Sequence, residues 1–181
     1  MENGRTMANP APLGLAAFGI TAFLVSSADA NLWHQAGYGA FVVVALFYGG
    51  IVSILVSIME FFRGDSIGVA FFGTFGAFWL ANWYNGTSKP NPEILPGVFF
   101  MCFAAAAFIF WMAVMKRSML HNLFGLLLTL TLILVTIGNW GGGHAGVVKA
   151  GGWMGMLASL VALYMAAKAL INEEHGKVLL P

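Results

Sequence analysis

The sequence predicts an all-α, polytopic membrane protein: a single bundle of six transmembrane helices spanning residues 1–181. Three observations carry this. Of the 181 residues, 60% are apolar and only 8% are charged, against about 25% charged in a soluble domain. The charges are segregated as well: no Asp, Glu, Lys or Arg occurs from Ala30 to Met59, Ser66 to Ser88, Ile94 to Met115 or Ser118 to Val148. Within these runs the apolar residues are continuous rather than alternating. A helix rising ~1.5 Å per residue crosses a hydrocarbon core ~30 Å thick in about 20 residues. Backbone amides in lipid must be satisfied internally, so only helices and closed barrels cross, and a barrel requires alternation.

Charges and clusters of Gly, Pro and Asn mark the breaks. Helix one is expected from Leu13 to Ser27, just after a proline-containing segment, followed by an outer turn from Asp29 to Ala36. Helix two covers Gly37 to Phe62, and Arg63–Gly64–Asp65 makes a tight connection to helix three, Ser66 to Tyr84. Asn85 to Glu93 reads as the clearest loop. Helix four then runs from Leu95 to Met115, helix five from Met119 to Gly138, and helix six from Val147 to Ile171 after a glycine-rich turn. A cleaved leader is the alternative for the segment ending at Ala30, but Asn9, Pro10 and Pro12 interrupt the basic-to-apolar transition such a leader needs.

Six crossings put both termini on one side. With the termini inside, the inner segments hold Arg5, Arg63, Lys116, Arg117, Lys168 and Lys177, and the outer ones only Lys89 and Lys149. The positive-inside rule therefore places both termini in the cytoplasm, with the chain in the cell membrane. Trp33, Trp83, Tyr84, Trp140 and Trp153 fall near the outer ends, where aromatic rings favour the interface.

Several function classes are excluded on chemistry. The segments outside the helices are too short for an ATPase, kinase or receptor domain, and no Gly-rich phosphate loop ending in Lys-Ser/Thr occurs. Any transport is then passive or coupled to an ion gradient. A net charge of +1 gives no reason to expect nucleic-acid binding. Cys102 is the lone cysteine and lies in an apolar run, so there is no internal disulfide. Glu60 and His121 read as interfacial and His144 as a loop residue. None has the spacing of a metal site or an acid–base pair, so neither an enzyme, a metal nor a cofactor is expected.

The neutral polar residues within the helices, among them Thr74, Thr131 and Asn139, suit either helix–helix hydrogen bonds or the lining of a narrow path. Gly64-x-x-x-Gly68 and Gly151-x-x-x-Gly155 match the small-residue pattern of close helix packing, with room for a pore as the sharper reading. In Asn9–Pro10–Ala11–Pro12–Leu13–Gly14 the prolines keep the chain extended and deliver the amino end of helix one. Its unpaired N–H groups either begin an ordinary helix or attract a carboxylate without a Lys or Arg.

Asn9–Pro10–Ala11–Pro12–Leu13–Gly14–Leu15 resembles the signature of the acetate uptake transporter family, also called succinate–acetate permeases. Phe47–Tyr48–Gly49–Gly50–Ile51, Gly73–Thr74–Phe75–Gly76–Ala77–Phe78–Trp79–Leu80, Ile137–Gly138–Asn139 and Ala150–Gly151–Gly152–Trp153 resemble further blocks of that family, so the match spans nearly the whole chain. The resemblance implies a homo-hexamer of independent pores passing acetate, and in some members succinate. It implies a constriction at Phe18, Phe75 and Leu128, where a tyrosine is familiar at the position of Phe75. The implied substrate contacts are Asn9, Pro10 and Leu13 at the first-helix amino end, with Thr74, Thr131 and Asn139 along the path. The expected function is thus a channel or proton-coupled transporter for acetate and other small carboxylates in the lipid bilayer. A sensory or adaptor protein that docks through its Asn172–Pro181 tail is the alternative.

Overall fold

The structure is a computed structural model describing residues 7–33, 38–87, 96–140 and 143–181. Among these residues it is helical with no strand. The elements are α1 (Ala11–Asp29), α2 (Tyr38–Val44), a π-helical segment (Ala45–Val52), α3 (Ser53–Arg63), α4 (Ser66–Thr87), α5 (Pro96–Val114), α6 (Met119–Gly138) and α7 (Ala145–His175). Most of the expected outer connections, at residues 34–37, 88–95 and 141–142, lie outside the described residues, as do Arg5 and Lys89.

Helix α1 begins at Ala11 rather than Leu13. Pro10 is its cap residue and Pro12 sits in the first turn, where a missing N–H removes no helical bond. At its other end α1 runs on to Asp29, so this carboxylate belongs to the helix rather than to a turn. Gly64 ends α3 with φ 76°, the left-handed conformation that glycine adopts without Cβ strain. That role takes Gly64 out of the helix packing its sequence pattern suggested. Ser118 caps α6 by accepting the His121 N–H at 3.3 Å.

Five helical stretches are long and apolar enough to cross a membrane: Ala11–Asp29, Phe41–Arg63, Gly97–Val114, Met119–Gly138 and Ala145–His175. The 22-residue α4 is not among them. Its sequence is diluted by Gly, Asn, Trp and Tyr, and its Phe71, Phe72, Phe75, Gly76, Phe78 and Trp79 are buried within the bundle.

Helix α1 packs on α7, α7 on α6, α6 on α5, and α3 on α4. The α1–α7 seam is backbone to backbone: a Cβ on Gly152 would fall 2.6 Å from the Ser26 carbonyl oxygen, and one on Gly155 against the Ser26 side chain. Gly151 faces Val135 of α6 instead. Three glycines on one helix thus bring two neighbours close, as small residues do in membrane bundles. In the π segment Gly49 packs on Thr21 and Trp79, and Gly50 on Leu80.

Candidate functional site

The two ends of the bundle differ in chemistry. At the end bearing the termini, Arg63 donates to Glu60 Oε2 at 2.9 Å and to Asn9 Oδ1 at 2.7 Å. Arg117 pairs with Asp65 at 3.3 Å, joining the α5–α6 turn to the α3–α4 turn. Burial pushes the Asp65 carboxyl up, but hydrogen bonds from Arg117 and from the backbone amides of Gly68 and Ile67 outweigh it and hold the group below its ordinary value of 3.8. Glu60 is fully buried, so it lies inside the protein rather than at an interface as its sequence position suggested. The i,i+3 spacing to Arg63 was readable in the chain. The link to Asn9, 54 residues away, was not.

A cavity of about 90 Å³ opens at this end, lined by Leu15, Glu60, Phe71, Phe110, His121, Phe124 and Leu128 among others. A neighbouring groove of about 300 Å³ is bordered by Asn9, His121, Lys168 and Asn172. A third cavity, of about 180 Å³, lies toward the opposite end; Asp29, Asn82, Asn139 and Val148 line it together with Phe18, Phe75, Leu128 and Thr131. Leu128 belongs to both the 90 Å³ and the 180 Å³ cavities.

Aromatic rings separate these two chambers. The Phe18 ring meets Phe75 at 5.5 Å and Phe124 at 5.6 Å, both edge to face, and Phe71 at 5.5 Å. Phe71 and Phe75 lie 4.9 Å apart. Such pairs each contribute about 0.5–1.5 kcal/mol beyond area burial, so the septum is a cohesive packing unit. Phe18, Phe75 and Leu128 are 2%, 1% and 6% exposed. The three residues expected to form a constriction are thereby brought together, and Phe71 and Phe124 join them. Sequence reasoning missed these two because nothing in a uniformly apolar helix marks which Phe points inward.

The expected carboxylate contacts divide. Asn139 and Thr131 line the 180 Å³ chamber, but Thr131 donates its hydroxyl proton to Leu127 O at 2.7 Å and Asn139 Nδ2 donates to Val135 O at 2.8 Å. Asn82 Nδ2 is likewise engaged, with Phe78 O at 2.9 Å. The Thr131 hydroxyl is left as an acceptor only, while each amide keeps its second N–H. Trp79, 3% exposed, lines the same chamber, and its indole N–H has no partner among the described residues. It was absent from the expected site, though the bulk and single donor of a buried Trp were a usable signal.

At the first-helix amino end, Asn9 Oδ1 accepts the Ala11 N–H at 3.1 Å in addition to Arg63. The Gly14 N–H goes to the Pro10 carbonyl at 3.2 Å, and Pro12 has none. Few free amides therefore remain there for an anion. Asn9 borders the groove, Pro10 is buried, and Leu13 is 45% exposed on the outer surface. Thr74 lines none of the three cavities. No group of three or more His, Cys, Asp or Glu able to hold a metal occurs among the described residues.

Comparison with known proteins finds relatives that match nearly the whole chain. The model of the GPR1/FUN34/yaaH family matches residues 2–181. A protein of Escherichia coli K12 named succinate-acetate/proton symporter SatP is 31% identical, over 97% of this chain and 95% of its own length. Acetate permease A of Emericella nidulans is 27% identical, over 98% of this chain and 66% of its own. The solved structure of the bacterial acetate channel SatP superposes with a TM-score of 0.89 at 29% identity, covering 97% of this chain and 99% of that one. With a family model that matches residues 2–181 and a fold shared with a solved relative, this multi-pass membrane protein is a member of the GPR1/FUN34/yaaH family.

Proposed function

We propose that the chain passes acetate, and other small carboxylates including succinate, across the cell membrane through the interior of its own bundle. One observation carries the reading: two chambers toward opposite ends of the bundle share Leu128, and Phe18 and Phe75, which line one, pack against Phe71 and Phe124, which line the other. Acetate presents a methyl group and a carboxylate. The septum suits the methyl, and the Trp79 N–H with the second amide protons of Asn82 and Asn139 supplies donors for the carboxylate. None of these is a fixed positive charge, and conduction needs sites weak enough to release the ion. The names of the relatives, a symporter, a permease and a channel, support the substrate class.

In this reading α4 is a sixth crossing, both termini are cytoplasmic, and the protein assembles as a homo-hexamer. Arg63, Arg117 and Lys168 cluster at the end bearing the termini, which supports that orientation. The large apolar residues on the outer surface, such as Phe47, Ile109 and Leu157, suit lipid or a neighbouring copy. The docking tail of an adaptor finds less support. Asn172 Oδ1 accepts the Leu179 and Leu180 N–H groups, and Tyr164 donates to Pro181 O at 3.0 Å, so the tail is folded back onto α7.

The test is uptake of labelled acetate into liposomes holding the purified protein, with and without an imposed proton gradient. Protein-dependent flux in the absence of the gradient identifies a channel or facilitator, and concentrative uptake that requires it identifies coupling. Folded protein giving no flux in either condition would remove the substrate assignment.

A further inference from the structure

Among the described residues that line the 180 Å³ chamber one is ionisable, Asp29, and its setting does not suit a permanent negative charge. Asp29 ends α1, so its carboxylate stands at the carbonyl end of a helix dipole, where anions are disfavoured. Among the described residues no Lys, Arg or His lies within ion-pair distance, since both ion pairs are at the opposite end of the bundle. The residue is held in place: the Ala30 N–H bonds to Ser26 O at 2.8 Å, and Gly152 of α7 lies directly against the Asp29 backbone. Among the described residues, the other ionisable groups of the neighbouring elements at this end are His144 and Lys149, at the start of α7, and Tyr84 of α4. All three are exposed, and none lines the chamber. The polar side chains that α6 and α4 give the chamber, Asn139, Thr131, Asn82 and Trp79, are all neutral.

We propose that Asp29 is a protonation-controlled gate for carboxylates at this chamber, a reading that rests on the carboxylate passage proposed above. Ionised, it repels the incoming anion from a confined, weakly screened space. Protonated, it removes that repulsion and offers an O–H donor to the substrate carboxylate, a short and strong hydrogen bond. Solution protons thereby set the rate of anion entry, with no Lys, Arg or His among the described residues that line the chamber.

The experiment compares labelled-acetate flux through wild type, Asp29→Asn and Asp29→Glu in liposomes, at equal pH on both sides, from about pH 5 to about pH 8. Taking the ratio of variant to wild type at each pH cancels the titration of acetate itself. Asp29→Asn, a fixed neutral side chain, should match wild type at the acid end and exceed it severalfold at the alkaline end. Asp29→Glu should keep the wild-type fall. A ratio for Asp29→Asn that stays constant while flux is well above protein-free liposomes overturns the gate and leaves carboxylate passage standing. Flux no greater than protein-free liposomes for every protein, at every pH, overturns both. If Asp29→Asn does not insert, Asp29→Glu decides alone: loss of its pH dependence overturns the gate.

Discussion

The Phe18 ring stands edge-on against Phe75, with 5.5 Å between centroids and 82° between planes. Helices α1 and α4 are thus joined where the two chambers meet, and the septum has no polar atom of its own. Its resistance to a small anion is that of close packing and dehydration.

Phe18→Ala should open the septum. Acetate flux should rise, or succinate should pass at a rate nearer that of acetate. Removing a buried ring costs about 3 kcal/mol or more where neighbours cannot collapse, so thermal stability in detergent is measured alongside. Unchanged flux and selectivity in correctly inserted protein would take Phe18 out of the permeation path.

Trp79→Phe keeps an aromatic ring, deletes the unpartnered N–H and leaves space where the second ring of the indole stood. Relief of an unsatisfied buried donor is worth about 1–3 kcal/mol and offsets a cavity cost of similar size, so melting should change little. If that N–H serves the carboxylate, half-saturating acetate should rise about threefold while maximal flux changes little. An unaltered concentration dependence would assign the donor no part in binding.

Gly152→Ala places a methyl group into the α1–α7 seam, against backbone atoms of Ser26, Asp29 and Ala30 that cannot yield independently. A loss of roughly 2 kcal/mol is expected from overpacking, read as a lowered melting temperature. Gly146→Ala in the same helix meets nothing within 4 Å and should be neutral or mildly stabilising. Equal behaviour of the two variants would contradict the close seam.

The Asp65–Arg117 pair gives a pH dependence of definite sign. Because the folded-state carboxyl is held below 3.8, its contribution is present above that ordinary value and is lost as pH falls through the lower, folded one. Melting temperature should therefore drop on strong acidification in wild type, and by less in Asp65→Asn. The difference should be small, since the two side chains are 31% and 44% exposed and water screens such a pair.

Much of this architecture was legible because lipid tolerates so little. Charge-free intervals announced the helices, and Arg63–Gly64–Asp65 and Lys116–Arg117 announced turns, since neither pair of segments offers water elsewhere. The helix α4 contributes Phe71 and Phe75 to the septum yet falls short of a lipid-facing composition, because Gly, Asn, Trp and Tyr dilute its apolar residues. Phe71 and Phe124 could not be told from the other phenylalanines, because a helix apolar on every face has no polar stripe to orient it. The Asn9–Arg63–Glu60 cluster depends on tertiary contact between α1 and α3, which local spacing does not encode. Asp29 passed for a turn residue because a charge usually ends an apolar run.

The π-helical segment Ala45–Val52 interrupts an otherwise continuous rod from Tyr38 to Arg63. Phe41 looks into the chamber on one side of the septum and Glu60 into the chamber on the other. Nineteen positions separate them, about 5.3 turns of α-helix, which would leave the two side chains on different faces. The wider i→i+5 turns absorb most of the excess, so that one rod serves both compartments from the same side. Its middle acts as a rotational spacer. Rewinding Ala45–Val52 as ordinary α-helix at unchanged length would rotate Glu60 and Arg63 together by about a quarter turn, out of reach of Asn9 and away from the chamber.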